Sequence, residues 1–90
     1  MPTIDIKPID AHSFEVKIQG SSATTHIVSV APEYAEKLVG GKIPTETLIE
    51  KSFEFLLERE SNTSILRSFD LSVIARYFPE YERTISKILA

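Results

Sequence analysis

The spacing of apolar residues along this 90-residue chain changes once, at Ala31-Pro32. Before this point apolar and polar residues alternate, as in Phe14, Val16 and Ile18, which is typical of a strand with one buried face. After it, apolar residues recur every three or four positions, as on a helix with one buried side. The pattern therefore predicts an α+β fold, in which an N-terminal three-stranded antiparallel meander packs against three to four C-terminal helices.

Prolines, glycines and capping residues set the predicted boundaries. Pro32 suits the first turn of a helix, and Gly40-Gly41 can end that helix because glycine tolerates positive φ. Asp70 is a good N-cap for a later helix. We predict a single compact domain, because a chain of this length has enough residues for one core. It spans residues 1–90, with strands at 3–7, 12–19 and 24–30 and helices at 32–39, 44–60, 70–78 and 79–89.

The length of the loop after the second strand decides which side chains of the third strand face the core. A four-residue loop would turn Val28 and Val30 away from the face that carries Phe14, whereas a three-residue loop places both valines on it. Burying the valines removes more apolar surface from water, so we predict the three-residue loop. In this register His12 and His26 also lie on the core face.

The predicted helix 44–60 has an unusually wide apolar side. At 100° per residue its apolar positions cover about 200°, which is more than one packing face needs. We therefore expect it to lie between the sheet and a second layer, formed either by the C-terminal helices or by a second subunit. The apolar residues are Leu48, Ile49, Phe53, Phe55, Leu56 and Leu57.

Composition narrows the classes of function. The 42% apolar and 26% charged fractions are typical of a globular domain. Cysteine is absent, which excludes disulfides, thiolate nucleophiles and thiolate metal ligands, and a cytoplasmic location is the simplest expectation. No apolar run is long enough to span a membrane. The net charge of −3 lacks the positive excess that phosphate binding requires, which disfavours a nucleic-acid partner.

No residue pattern indicates a catalytic site, a metal site or a cofactor, which favours a non-enzymatic protein. Residues 40–42 are followed by Ile43, where a phosphate-binding loop has Ser or Thr. Two histidines on one sheet face could bind a metal or pass a proton, but the neighbouring inward positions are apolar and offer no third ligand. A hydrolase or isomerase stays open only if His12 or His26 meets a carboxylate or a hydroxyl in a pocket.

Segment 67–83 combines aromatic and basic residues more densely than the rest of the chain. Tyr and Arg are enriched at the centres of protein interfaces, because they offer a large contact area with a polar tip. Phe69 and Phe78 fit the core, and the tyrosines are better candidates for partial exposure. We predict a small binding or regulatory module that acts through contact with a partner protein or by self-association, for example as a dimer. Its candidate surface residues are Phe55, Arg67, Arg76, Tyr77, Tyr81 and Arg83.

One alternative function comes from a resemblance over residues 24–60. Residues 30–38, VAPEYAEKL, followed by residues 45–60, are similar to the ribbon-helix-helix family of DNA-binding proteins, in which a strand leads through a proline into a helix and then into a longer helix. In that family the residues two and four positions before the proline are polar and contact bases. Here they are Val30 and Val28, which lack donors and acceptors. The first helix is also about a turn short, and the strand has a predicted partner in its own chain. A DNA-binding regulator is therefore the alternative to the binding module.

Overall fold

Four strands and four α-helices follow one another in the computed structural model, which describes residues 3–20, 22–40 and 43–89. The α+β class predicted from the apolar spacing is confirmed. None of the described helices is long and apolar enough to cross a membrane. The strands are β1 (Thr3–Pro8), β2 (Ser13–Gln19), β3 (Ala23–Ser29) and β4 (Ser68–Asp70). The helices are α1 (Pro32–Val39), α2 (Thr45–Leu57), α3 (Val73–Tyr77) and α4 (Tyr81–Leu89), with a 3₁₀ helix at Asn62–Ser64.

The sheet has the strand order β1-β2-β3-β4. Its first three strands form the predicted antiparallel meander, which is confirmed. The prediction of only three strands is wrong, because β4 adds to the outer edge of β3 in parallel, with Val28 opposite Phe69. The sheet is therefore mixed, and a segment from the C-terminal half of the chain completes it.

The predicted register between β2 and β3 is confirmed. Phe14 lies opposite Val28, and residues 20–22 make the three-residue connection, of which Ser21 lies outside the described residues. Val28 is buried, and so is His26 on the same face. The same prediction is wrong for His12, which is exposed in the turn before β2, where its backbone N–H donates to the Asp10 carboxylate at 2.9 Å.

Helix α2 lies in the middle of the core and packs on two sides. Phe53 faces the sheet, with ring centroids 5.6 Å from His26 and 5.9 Å from Phe69. Phe55 faces the C-terminal helices, and its ring meets the Tyr81 ring edge-on at 5.3 Å. The wide apolar side predicted for this helix is thus covered within the chain. A second subunit is not needed to bury it.

Several helix ends differ from the predicted ones. Gly40 ends α1 with a φ of 70°, as expected for a glycine there, while Gly41 lies outside the described residues. Helix α2 ends at Leu57, three residues before the predicted end, and residues 58–60 form a turn. Asp70 belongs to β4, so α3 does not begin directly after it. Its carboxylate nevertheless accepts a hydrogen bond from the Ser72 backbone N–H at 3.1 Å, two residues further on.

Tyr81 joins α4 to the centre of α2 through a buried hydrogen bond. The Ser52 hydroxyl donates to the Leu48 carbonyl at 2.7 Å, so the Tyr81 hydroxyl, 2.6 Å away, donates to the Ser52 oxygen. Both side chains are fully buried. Burial raises the pKa of the Tyr81 phenol, because charge is disfavoured away from water. The hydroxyl is therefore a fixed neutral donor within the core.

Candidate functional site

An apolar groove of about 340 Å³ lies where the end of α2 meets β4 and α3. The sheet contributes Phe69 to its wall, and α3 contributes residues spaced along its whole length. Pockets with mostly apolar walls and a few polar groups are the usual place for ligand binding. We call this site the apolar groove; it is lined by Leu56, Glu60, Ser64, Ile65, Leu66, Phe69, Val73, Ile74, Tyr77 and Phe78.

Two side chains of the apolar groove are exposed although they are large and apolar. Tyr77 is 67% exposed and Leu66 is 47% exposed. Each has an arginine as its direct neighbour in the sequence, Arg76 and Arg67 respectively, and both arginines are exposed. Within the described part of the chain, neither arginine forms a salt bridge. The groove therefore exposes two large apolar side chains, and the residue next to each in the sequence is an arginine that does not itself line the groove.

Asp70 holds the elements that form the groove in place. Its carboxylate accepts hydrogen bonds from the Ser29 hydroxyl at 2.9 Å and from the Ser72 hydroxyl and backbone N–H, which ties β4 to β3 and to the start of α3. Burial alone would raise the pKa of Asp70, but the hydrogen bonds from Ser72 and Ser29 outweigh it, and the pKa lies below its usual range. The hydrogen bonds of the folded chain thus stabilise the ionised Asp70 carboxylate over its protonated form.

Asp70 is expected to make the protein acid-sensitive. Because its folded-state pKa is lowered, its contribution to stability is present above the unfolded-state pKa of about 3.9 and is lost as the pH falls through the folded-state pKa. The urea midpoint of the wild type should therefore fall more steeply below about pH 4 than that of Asp70→Asn. Equal slopes for wild type and Asp70→Asn would contradict this role.

A second, polar groove of about 350 Å³ lies beside the N-terminal half of β3, where β4 does not reach. His26 forms part of its floor. The His26 Nδ1 lies 2.7 Å from the Leu66 carbonyl oxygen, which can only accept, so Nδ1 carries a hydrogen. In the neutral ring Nε2 then accepts from the Thr24 hydroxyl at 2.9 Å, and the Asn62 amide donates to the same hydroxyl at 2.8 Å. We call this chain of bonds the His26 network.

The His26 network meets one condition for an enzyme but not the others. His26 does meet a hydroxyl, as a hydrolase or isomerase would require, yet the imidazole is only 1% exposed. A general base must reach the proton that it transfers, and this ring is almost entirely shielded from solvent, with both of its nitrogens already hydrogen-bonded within the chain. Within residues 3–20, 22–40 and 43–89, no three His, Asp or Glu side chains come close enough to hold a metal ion. The network instead joins β3 to the segment around Asn62 and Leu66.

The structure separates the six predicted surface residues into two groups. Phe55 is 3% exposed and Tyr81 is 0% exposed, so neither can touch a partner in this conformation. Both are buried because they pack against each other between α2 and α4. The other four are exposed: Tyr77 lines the apolar groove with Arg76 beside it on α3, Arg67 lines the polar groove, and Arg83 lies on α4.

The sequence pattern did not indicate most of the groove-lining residues. Leu66 and Val73 come from opposite sides of β4, and only the folded chain brings them together. One usable signal existed, since Leu66 follows Ile65 in a stretch that is otherwise polar, and if Ile65 faces the core Leu66 is an apolar residue left outside it. Such a residue is either an isolated surface side chain or part of a binding surface.

No protein-family model, no curated protein and no solved structure matches this chain. Val28 and Val30, at the base-reading positions of the ribbon-helix-helix resemblance, are buried, and β3 is paired with β2 and β4 on its two edges. This placement gives no support to the DNA-binding alternative.

Proposed function

We propose that the protein is a peptide-binding module, and that the apolar groove accepts a segment of a partner protein. The segment carries one large apolar side chain with acidic residues beside it. The observation that supports this most is that the two exposed apolar residues of the groove, Leu66 and Tyr77, are each adjacent in the sequence to an exposed arginine, Arg67 and Arg76, that forms no salt bridge within the described residues. Tyr and Arg are, with Trp, the residues enriched among those that dominate binding energy at protein interfaces.

The size and lining of the groove support an apolar anchor. A space of about 340 Å³ is large enough for an aromatic or branched aliphatic side chain, and it is small for an extended cofactor. Phe69 and Ile74 line the groove, so an apolar side chain placed there would lose its contact with water on several sides. This burial would supply affinity, while the polar groups at the rim would orient the segment.

The charges support an acidic segment. Arg67 and Arg76 hold no carboxylate within the described residues, so a carboxylate from a partner would gain a charge-assisted hydrogen bond without breaking an existing ion pair. Such contacts at an exposed rim contribute mainly to specificity and to the rate of association. Glu60, which also lines the groove, would repel an acidic residue at its own end and so favours one orientation of the segment.

Selection from a displayed random peptide library on the immobilised full chain tests this function. We expect the enriched peptides to share one aromatic or large aliphatic residue flanked by Asp or Glu. Leu66→Ser and Tyr77→Ser should each weaken binding of the enriched peptides about tenfold or more, because each removes part of the apolar contact. Failure to enrich any peptide, or enrichment of peptides without this pattern, would contradict the proposal.

Ile88→Ser is the matched control for these variants. Ile88 is a large apolar residue on α4 that is 54% exposed, similar to Leu66, and it does not line the groove. The substitution removes a comparable exposed apolar surface elsewhere, so peptide affinity should stay at the wild-type value. An equal loss of affinity in Ile88→Ser and Leu66→Ser would show that general surface hydrophobicity, and not the groove, causes binding.

A further inference from the structure

Strand β1 forms the outer edge of the sheet, opposite to the edge that β4 occupies. The Ile9 N–H donates to the Ser13 carbonyl at 2.9 Å, which places residues 9 and 13 in a hydrogen-bonded pair. Because hydrogen-bonded and non-hydrogen-bonded pairs alternate along an antiparallel ladder, the odd-numbered residues of β1 bond to β2. The N–H and C=O groups of Ile4 and Ile6 then point to the free edge, where no described backbone group bonds to them.

Pro8 fits this assignment of the free edge. It belongs to the same even-numbered set as Ile4 and Ile6, so the N–H that proline lacks would have pointed away from β2. Proline in a sheet is found at such positions because it removes no ladder bond there. The free edge of β1 therefore offers the N–H groups of Ile4 and Ile6 and the carbonyl groups of Ile4, Ile6 and Pro8.

On the outer face of the sheet, each charged side chain of β1 lies opposite a residue of opposite charge on β2. Asp5 lies opposite Lys17 of β2, and Lys7 lies opposite Glu15. Opposite charges on directly facing residues stabilise a pair of strands, and like charges destabilise it. A strand added to the free edge would continue the pattern if it placed a positive residue opposite Asp5 and a negative residue opposite Lys7.

We propose that this added strand is β1 of a second copy of the chain, paired antiparallel and centred on Ile6. In this register Asp5 lies opposite Lys7 of the second copy, and by symmetry Lys7 lies opposite Asp5 of the second copy. Each row of side chains across the interface then runs from Lys17 and Asp5 of one copy to Lys7 and Glu15 of the other, so that positive and negative charges alternate. The two four-stranded sheets become one continuous sheet.

Backbone bonds and charges select this register over its neighbours. Centred on Ile6, the two Ile6 residues exchange both of their hydrogen bonds, and each Ile4 N–H donates to the Pro8 carbonyl of the other copy. A register centred on Asp5 makes as many bonds but places two aspartates opposite each other. A register centred on Lys7 opposes two lysines and makes fewer bonds, because Pro8 has no N–H.

Sedimentation equilibrium of the full chain and of charge-reversed variants tests this pairing. The wild-type mass should rise with concentration from 10.1 kDa towards twice that value. Asp5→Lys and Lys7→Asp should each weaken the dimer about tenfold, because each places like charges opposite one another in both symmetric rows. The double variant Asp5→Lys/Lys7→Asp restores opposite charges and should dimerise within about threefold of the wild type.

Restoration in the double variant separates pairing from general loss of stability. The double variant carries the internal repulsions of both single variants, against Lys17 and Glu15, so it cannot regain a dimer through a more stable sheet. Lys87→Asp on the exposed face of α4 is the control, and it should not change the mass. A wild type that stays at 10.1 kDa at all concentrations would overturn the proposal. A double variant that stays monomeric, or a dimer that Leu66→Ser abolishes while both charge reversals leave it intact, would overturn it as well.

Discussion

Replacing Tyr81 by alanine is expected to lower the free energy of unfolding by about 3–5 kcal/mol. Tyr81 is fully buried, its ring packs edge-on against Phe55, and its hydroxyl donates to Ser52. The substitution leaves a cavity between α2 and α4 as well as removing the apolar area of the ring. Tyr81→Phe keeps the ring and removes only the hydrogen bond, so it should cost about 1 kcal/mol. Urea unfolding followed by circular dichroism gives both values.

Tyr77→Ala is the matched control for the effect at Tyr81. The same atoms are removed, but from a side chain that is 67% exposed. Surface substitutions of this kind stay within about 0.5 kcal/mol of the wild type. Equal destabilisation of the two alanine variants would contradict the placement of Tyr81 in the core and of Tyr77 at the surface.

His26→Ala should have the second largest effect, a loss of about 2–4 kcal/mol. The change removes a buried ring that contacts Phe53, and it breaks the bonds to the Leu66 carbonyl and the Thr24 hydroxyl. Those bonds join β3 to the segment that contributes Leu66 to the apolar groove. We therefore expect faster amide hydrogen exchange in residues 62–69 as well as a lower urea midpoint.

The other histidine of the chain provides the control for this substitution. His12 is exposed in the turn before β2, so His12→Ala should change the unfolding free energy by less than about 0.5 kcal/mol. If His26→Ala were as mild as His12→Ala, the His26 network would not hold the segment to the sheet. If it were destabilising without faster exchange in residues 62–69, its effect would come from the core alone.

The meander and the central helix could be predicted because each depends on a pattern that is local in the chain. The alternation of Phe14, Val16 and Ile18 fixes which face of β2 is buried, and the argument from apolar area then fixes the loop length before β3. The wide apolar side of α2 indicated a helix with two packed sides. The same reasoning predicted the wrong environment for His12. This residue lies in the turn before β2, where side chains no longer alternate between the two faces of a sheet.

Strand β4 could not be predicted, since nothing in residues 68–70 resembles a strand in isolation. Three residues are too few for alternation to be visible, and their order, Ser-Phe-Asp, suits a turn or a helix cap equally well. The strand exists because the outer edge of β3 leaves N–H and C=O groups to be paired, and the Asp70 carboxylate bonds to Ser29 across the two strands. Both causes lie about forty residues away in the sequence.

The candidate site was predictable only as a region. The density of aromatic and basic residues indicated segment 67–83, and two residues of this segment, Arg76 and Tyr77, are exposed. Tyr81 belongs to the same segment but is buried, because the side of α4 on which it lies packs against α2. Aromatic and basic composition alone cannot distinguish a core tyrosine from an exposed one, whereas contact with another element does so directly.

Amide chemical shifts of the ¹⁵N-labelled chain, titrated with a library-selected peptide, test the central claim that the apolar groove is a binding site. We predict that the largest shift changes occur in the segments around Leu66, Phe69 and Tyr77, and that the amides of β1 and of the outer sheet face stay unchanged. Changes concentrated on β1, on α4 near Ile88, or spread evenly over the chain would contradict the assignment of function to this groove.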